Sequence, residues 1–539
     1  MKCVVHVARE YGGLAGAGGL KDVVEGLSKA SAEEGIDTHV FLPFYRVIEQ
    51  REHPGLQERL NFAVAMDYAR QKRAESITIH SGRIQPHLTL HLIDTQRYRY
   101  LMEGDGTIER YGIYQYTGDE AAALGRPELS GKGYVDFFAM NVLMVKGALG
   151  ALSRMEIKPD VIHCHDGHAA LLPLIAQESR EGFAPNLRYV PTVITVHNAG
   201  AGYHQEVADL AFAAAICGVP RRLIDGCLLN GSFDPLVAGG LFGGAINAVS
   251  ENYARELQRT GQDWRTGWLG HALAGKGVEL LGVTNGIDPE SLNPEDPEQS
   301  GLAAGFSVVD GDLEGKEVCK KATLDAVHRE DVAGGIVLHG TLDYREDVPL
   351  LTFIGRLDEQ KGYDILADAL QRLFEEDENV QTLGLGDGDP ALVTRFGELA
   401  ARFASRVCMA EGYSPLFARQ VFAAGDFFVI PSRFEPCGLT DFLAQLAGNV
   451  PIVHRVGGLV KTLDGRFGFS YLGGAEELLD ALRRALRTYR KPNRTTLRRI
   501  QVAAAKNIDK NFTWKNVLAK GYFPIYRDAI ARTGPLLPY

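Results

Sequence analysis

Short apolar runs of strand type alternate twice with helical patterns along this chain, and no other feature limits its fold as tightly. CVVHVA (3–8) leads into a glycine-rich loop, and DVVEGLSKASAEEG then reads as a helix ending at Gly35. THVFLPF, TLHLIDT, DVIHCH and TVITVHN read as further strands, and INAVSENYARELQ as a strand running into a helix. Such βαβ alternation specifies a parallel sheet covered by helices. A second series begins after residue 283. LLTFIGRL (350–357), VQTLGLG, FFVIPS and PIVHRV read as strands, with helices at DILADALQRLFEED and around Thr440–Ala447. At 539 residues the chain is too long for one core. The expected fold class is therefore α/β, with Rossmann-like domains at 1–282 and 283–510. Residues 295–345 read as a connection carrying one helix, Leu313–Val327, and the stretch from Trp514 as helical.

Composition excludes several functions. A net charge of -11 argues against nucleic acid and against an anionic membrane surface, because both draw affinity from clustered Lys and Arg. A few local cations can still govern a site for an anionic small substrate. The seven cysteines are scattered and odd in number, which fits reduced thiols in a cytosol. The apolar run before Arg9 is too short for a signal-peptide core, and no stretch approaches the ~18 apolar residues of a membrane span. A soluble, cytoplasmic protein is expected.

Ligands of open parallel sheets sit beyond the carboxyl ends of the strands, and four segments lie where strands stop. Gly12-Gly13-Leu14-Ala15-Gly16-Ala17-Gly18-Gly19-Leu20 joins the first strand to the first helix. Its glycines would let backbone approach a phosphate at a helix N-terminus, or would merely form a tight turn. His163-Cys164-His165-Asp166-Gly167-His168 holds three histidines and an acid, which invites a metal. The Asp precedes the glycine, however, and strand alternation turns His163 and His165 to one face with His168 in the turn beyond. Hydrogen-bonding roles are expected and no metal. In Gly355-Arg356-Leu357-Asp358-Glu359-Gln360-Lys361-Gly362, two cations beside a helix start form either an anion clamp suited to a diphosphate or a solvated face. Pro431-Ser432-Arg433-Phe434-Glu435-Pro436-Cys437-Gly438-Leu439-Thr440 holds a carboxylate between prolines ahead of a helix, fit for sugar hydroxyls beside a phosphate or for a structural ion pair.

Taken in order, GGLKDVVEGLSKA, VIHCHDGHAALLP, TVITVHN, VSENYAREL, TNGIDPESLNP, FIGRLDEQKGYDIL, GLGDGDP, EGYSP, IPSRFEPCGLT and VGGLVKT resemble the bacterial glycogen/starch synthases. These are retaining glycosyltransferases of GT-B architecture, two Rossmann-like domains facing across a deep cleft. The resemblance spans nearly the whole chain, and PSRFEPCGLT is nearly specific to the group. It implies that His168 lies near the transferred glucose and that Arg356 and Lys361 neutralise the leaving diphosphate. It also implies that Glu435 holds the donor sugar's hydroxyls. Gly18, Gly19, Cys437, Gly438, Leu439 and Thr440 would line the donor site, Asp22 and Asn285 would contact the nucleotide or its phosphates, and Tyr413 would stack on the base. Helices of 511–539 would cross back to the N-terminal domain.

The implied reaction moves glucose from a nucleoside-diphosphate glucose, with ADP-glucose the expected donor, to the non-reducing end of an α-1,4-glucan with retention. No cofactor and no metal are expected, and the partners are the nucleotide sugar and the α-glucan acceptor. Two alternatives are a GT-B enzyme with another donor nucleotide or a small acceptor, and a non-catalytic glucan-binding regulatory protein. Three departures from the family pattern stand out. The glycine loop normally reads Lys-x-Gly-Gly-Leu, whereas Gly16 stands here in the lysine's place, with Lys21 on the other side of the turn and not assumed to replace it. The segment between VGGLVKT and GFSY is short. AGAGYHQEV follows HN where an aromatic-Gln-Gly turn is usual.

Overall fold

The structure, a computed structural model, describes residues 1–49, 55–103, 106–179, 185–376, 379–490 and 494–532. The chain divides into two compact units, Met1–Gly286 with Trp514–Tyr539, and Ile287–Thr513. Residues 533–539 of the C-terminal segment lie outside the described residues.

Besides two small hairpins, the strands of the first unit are β1 (Cys3–Val7), β2 (Asp37–Pro43), β3 (Gln57–Asp67), β4 (Lys72–Gln85), β5 (Leu88–Asp94), β6 (Val161–His165), β7 (Thr192–Val196), β8 (Ala245–Ala248) and β9 (Leu280–Gly282). They form one sheet in the order β9-β8-β7-β6-β1-β2-β5-β4-β3. Pairing is parallel from β9 through β5 and antiparallel at β5-β4 and β4-β3. The central strands β1, β6 and β7 are buried at every position, because helices cover both faces. One cover is the helix Phe137–Arg154, so enclosed that its Lys146 is buried, donating to the Ala65 carbonyl at 2.9 Å.

The second unit contains β10 (Val337–His339), β11 (Leu350–Ile354), β12 (Gln381–Gly386), β13 (Val407–Glu411), β14 (Phe427–Ile430), β15 (Val450–His454) and β16 (Phe469–Tyr471). Their order is β10-β13-β12-β11-β14-β15-β16, parallel except for β10. Helices Tyr363–Glu375, Pro390–Arg402 and Ala475–Tyr489 pack Leu366, Leu370, Phe396 and Leu482 on one face around Leu351, Phe353 and Phe427.

Several expected bounds shift. The strand expected over 350–357 stops at Ile354, since Gly355 to Lys361 turn away to form a loop, and the connecting helix runs Glu314–His328. The hairpin β3-β4 has no counterpart in the sequence reading. The C-terminal helix contains one π-turn, Leu518–Tyr522, which buries Tyr522 and Tyr526 against the His163 ring.

Candidate functional site

In the first unit, polar groups gather where β1, β6 and β7 end. Glu10, just past β1, accepts the amides of Ala17 at 3.0 Å and Gly18 at 3.3 Å through one oxygen and the Tyr114 hydroxyl at 2.7 Å through the other. The Gly18 amide therefore points inward at a carboxylate. Beyond Gly18 a Cβ would meet nothing within 4 Å, so the loop is open on that side. The helix that follows, Leu20–Glu33, starts at Gly19 with no side-chain cap, which leaves the amides of its first turn for another acceptor. Gly16 is a different case. A Cβ there would collide with the aliphatic stem of Lys21, whose Nζ pairs with Asp22 at 2.8 Å. The side-chain space of position 16 is filled from position 21.

His168 lies in the short helix Asp166–Ala169, buried, its ring 5.1 Å from that of Tyr114. Among the described residues its Nδ1 has no hydrogen-bond partner. Burial holds its pKa well below the usual histidine range, and the Arg9 guanidinium and His197 add to that, so the imidazole is neutral. Arg9 is itself held by the Tyr45 hydroxyl (2.7 Å), Asn141 (3.1 Å) and the Ile113 carbonyl (2.6 Å). Asp166 carries a left-handed φ of 58° and accepts the His197 amide at 2.6 Å. Burial pushes its pKa up to about 7 against the pull of the His197 and Asn198 amides. Gly167 has no room for a side chain because the backbone of Tyr203 and His204 lies against it.

His163 and His165 do share a face, with ring centroids 4.3 Å apart. Nitrogens of His6, His163 and His165 lie close enough together to surround an ion. His163, however, contacts the Tyr526 hydroxyl at 2.8 Å and Thr195 at 2.6 Å, and His165 contacts His6 at 3.1 Å and His197 at 3.0 Å. Thr195 donates its one hydroxyl proton to Asn247 at 2.8 Å, so His163 must donate from Nε2 and accept from Tyr526. An ion would have to displace these bonds, and burial holds all three rings below their usual pKa. The unusual segment after His197 is anchored by His204, which spans Asp234 (2.6 Å) and the Ala199 carbonyl (2.8 Å). Asp22 is exposed, and Asn285 is buried with an Oδ1 that has no partner among the described residues.

In the second unit the expected cations and carboxylate come together. Lys361 Nζ donates to Glu435 Oε2 at 2.7 Å, and Ser432 donates to the same oxygen at 3.1 Å. Asp358 links the cations, accepting Arg356 Nε at 2.5 Å and the Lys361 amide at 2.8 Å. Arg356 is largely exposed, at 62%. The loop bearing Glu435 is tied down from two sides. Arg433 forms a bidentate pair with Asp364 at 2.7 and 2.6 Å, joining it to the loop of Lys361. Lys461 donates to the carbonyls of Cys437 (2.6 Å) and Gly438 (2.7 Å) and pairs with the buried Asp441 at 3.0 Å. Gly438 has φ 74°, and Gly457 has φ 49° where a Cβ would strike the Glu435 carbonyl. Thr440 begins the next helix, with Leu439 at its cap position and no side-chain cap. Tyr413, two residues past β13, is 72% exposed.

Glu10, Tyr114, Asp358, Asp441 and Lys461 were not singled out in the sequence. Lys461 lies within VGGLVKT, but its partners, two backbone carbonyls more than twenty positions away, leave no mark in residue type or spacing.

Residues 3–270 match the starch synthase catalytic domain family and residues 348–488 match glycosyl transferases group 1. A glycogen synthase from Geobacter metallireducens is 31% identical, covering 98% of this chain and 96% of its own length. One from Aeromonas hydrophila is 29% identical over 98% of both. The catalytic domain of starch synthase IV from Arabidopsis thaliana, solved with ADP and acarbose, superposes with a TM-score of 0.77 at 25% identity, over 98% of this chain and 99% of that one. A sucrose-phosphate synthase from Thermosynechococcus elongatus shares the fold at a TM-score of 0.55 and 16% identity. Alpha/beta in class and GT-B in fold, the chain belongs to the glycogen/starch synthase family of hexosyltransferases.

Proposed function

We propose that this family member transfers glucose from ADP-glucose to the non-reducing end of an α-1,4-glucan with retention. The C1–O bond to the diphosphate breaks, a C1–O bond to the acceptor oxygen forms, and the proton of the acceptor hydroxyl passes to the departing diphosphate. Negative charge collects on the departing diphosphate, and preorganised cations meet such charge at low reorganisation cost. Arg356 and Lys361 take that role, and Glu435 holds the sugar hydroxyls from the braced loop. The neutral His168 faces the sugar. Asp22, Asn285, the uncapped turn at Gly19 and residues Cys437 to Thr440 hold the nucleotide and its phosphates, and Tyr413 stacks on the base. Two fixed cations supply what a divalent ion would otherwise supply, so activity should survive chelator.

The observation that carries this reading is the linked set Arg356–Asp358–Lys361–Glu435 at the carboxyl ends of adjacent strands β11 and β14. Lys21, laid across Gly16, supports a cation at this loop delivered from the other side of the turn. Buried cysteines that form no disulfide among the described residues support a reducing, cytoplasmic setting. The test is incubation with glycogen and ADP-, UDP- or GDP-glucose, following released nucleotide and label in glucan. ADP release with extension of the glucan is expected. No release from any of the three donors refutes the reading.

A further inference from the structure

The chain has three tryptophans. Trp514 is buried, its indole filling the space that a side chain at Gly26 or Gly286 would take. Trp264 and Trp268 are instead 58% and 46% exposed, on one turn. Indoles gain much from burial, so two left in water so close together mark a surface that is covered by something else.

The turn is rigid. Asp263, fully buried, accepts the Thr266 hydroxyl at 2.5 Å, the Gly270 amide at 3.2 Å and both the amide (2.9 Å) and Nδ1 (2.8 Å) of His271. Its carbonyl accepts the Trp268 amide at 3.0 Å. Trp268 is thereby held at φ 70°, a left-handed conformation that is a true outlier for a bulky side chain. Such strain persists only where the surroundings overdetermine it, and it gathers at sites of function. Polar groups flank the rings. The His271 ring stands edge-on to Trp268 at 5.2 Å, and the Arg265 guanidinium lies over one face of the Trp264 ring, 4.7 Å from its centre.

We infer that Trp264 and Trp268 form a docking platform for an α-glucan chain, apart from the residues assigned to the donor. A pyranose ring presents a face of C–H bonds that stacks on the electron-rich face of an indole, while Arg265 and His271 supply donors for the hydroxyls at its edge. The choice of glucan rests on the proposed acceptor. A polymeric acceptor held at a second point stays near the site between transfers, which a short oligosaccharide cannot exploit.

Native gel electrophoresis with and without glycogen, with tryptophan fluorescence, tests the platform. Since Trp514 is buried, glycogen should shift emission to the blue and protect it from acrylamide. Trp264→Ala/Trp268→Ala should raise the apparent Kd for glycogen at least tenfold while kcat on maltotriose stays within twofold. Unchanged retardation by glycogen overturns the inference, as does loss of a dimer on light scattering with glycogen binding intact. Should circular dichroism show the double variant unfolded, Trp268→Gly, which suits the left-handed turn, replaces it under the same criteria. Glycogen binding that depends on the tryptophans without nucleotide release from any donor would sustain the platform and remove only the transferase reading.

Discussion

Lys361 Nζ and Glu435 Oε2 lie 2.7 Å apart, so the cation proposed for the diphosphate is paired with the carboxylate proposed for the sugar. Arg356 is likewise paired, with Asp358. The arrangement stores no unpaired charge, and donor phosphates would replace carboxylates as partners of both cations. The first prediction follows. Losing one preorganised donor to a developing anion costs roughly 3–4 kcal/mol, so Arg356→Ala and Lys361→Ala should each lower kcat about 100-fold or more. Melting temperatures should move little for Arg356→Ala, whose side chain is mostly in solvent. Near-normal turnover in both variants would remove the clamp from the mechanism.

A second prediction concerns the altered glycine loop. Lys21→Ala should raise the KM for the nucleotide sugar about tenfold, the effect of losing ~1.4 kcal/mol, with the melting temperature unchanged. Gly16→Lys alone should damage the loop, because the new stem meets that of Lys21. Gly16→Lys/Lys21→Ala should recover donor affinity relative to Lys21→Ala. Equal donor KM values for the native protein and Lys21→Ala would show that Lys21 does not touch the phosphates.

How far the sequence speaks for itself depends on what each contact is made of. Strands β1, β6, β7 and β12 are buried on both faces and so read as apolar runs. Strands β3 and β4 carry one solvated face, and QERLNFAVAMD and KRAESITIHSGRIQ interleave charges that mask the pattern. Arg356, Lys361 and Glu435 were legible because they sit at strand ends. The brace through Lys461, the Glu10 anchor of the glycine loop and the filling of Gly16 by Lys21 were not. Each is a long-range contact of a charged side chain with backbone or with space, and local composition records neither. The pair Trp264 and Trp268 falls in a polar stretch without periodicity, and only a measured φ and exposure single it out.

The third prediction is a pH effect on stability. Burial pushes the pKa of His204 down, but the hydrogen bond and charge of Asp234, with the Ala199 carbonyl, outweigh it and hold it above the ordinary value. For a group whose folded pKa is raised, the stabilisation is fully present below the unfolded value, about 6.5, and is lost as pH rises through the folded one. The melting temperature of the native protein should therefore fall as pH climbs from about 6.5 into the alkaline range. In His204→Gln this component of the fall should be absent. Parallel profiles for the two proteins between pH 6 and 9 would assign the effect elsewhere.

The fourth prediction separates bracing from chemistry in the Glu435 loop. Asp441 is fully buried, and burial raises its pKa against the opposing charge and hydrogen bond of Lys461. Removing one member of a buried pair strands the other and typically costs ~3–5 kcal/mol. Lys461→Met should thus lower the melting temperature by about 10 °C in a unit of this size, and it also frees the Cys437 and Gly438 carbonyls that shape the loop. Lys461→Met/Asp441→Leu, which removes both charges, should regain much of the stability. The loop would still lack its tie to those carbonyls, so the KM for the donor should stay raised in the double variant. A double variant that recovered both stability and donor affinity would show that the carbonyl contacts do no positioning and that Lys461 serves only to neutralise Asp441.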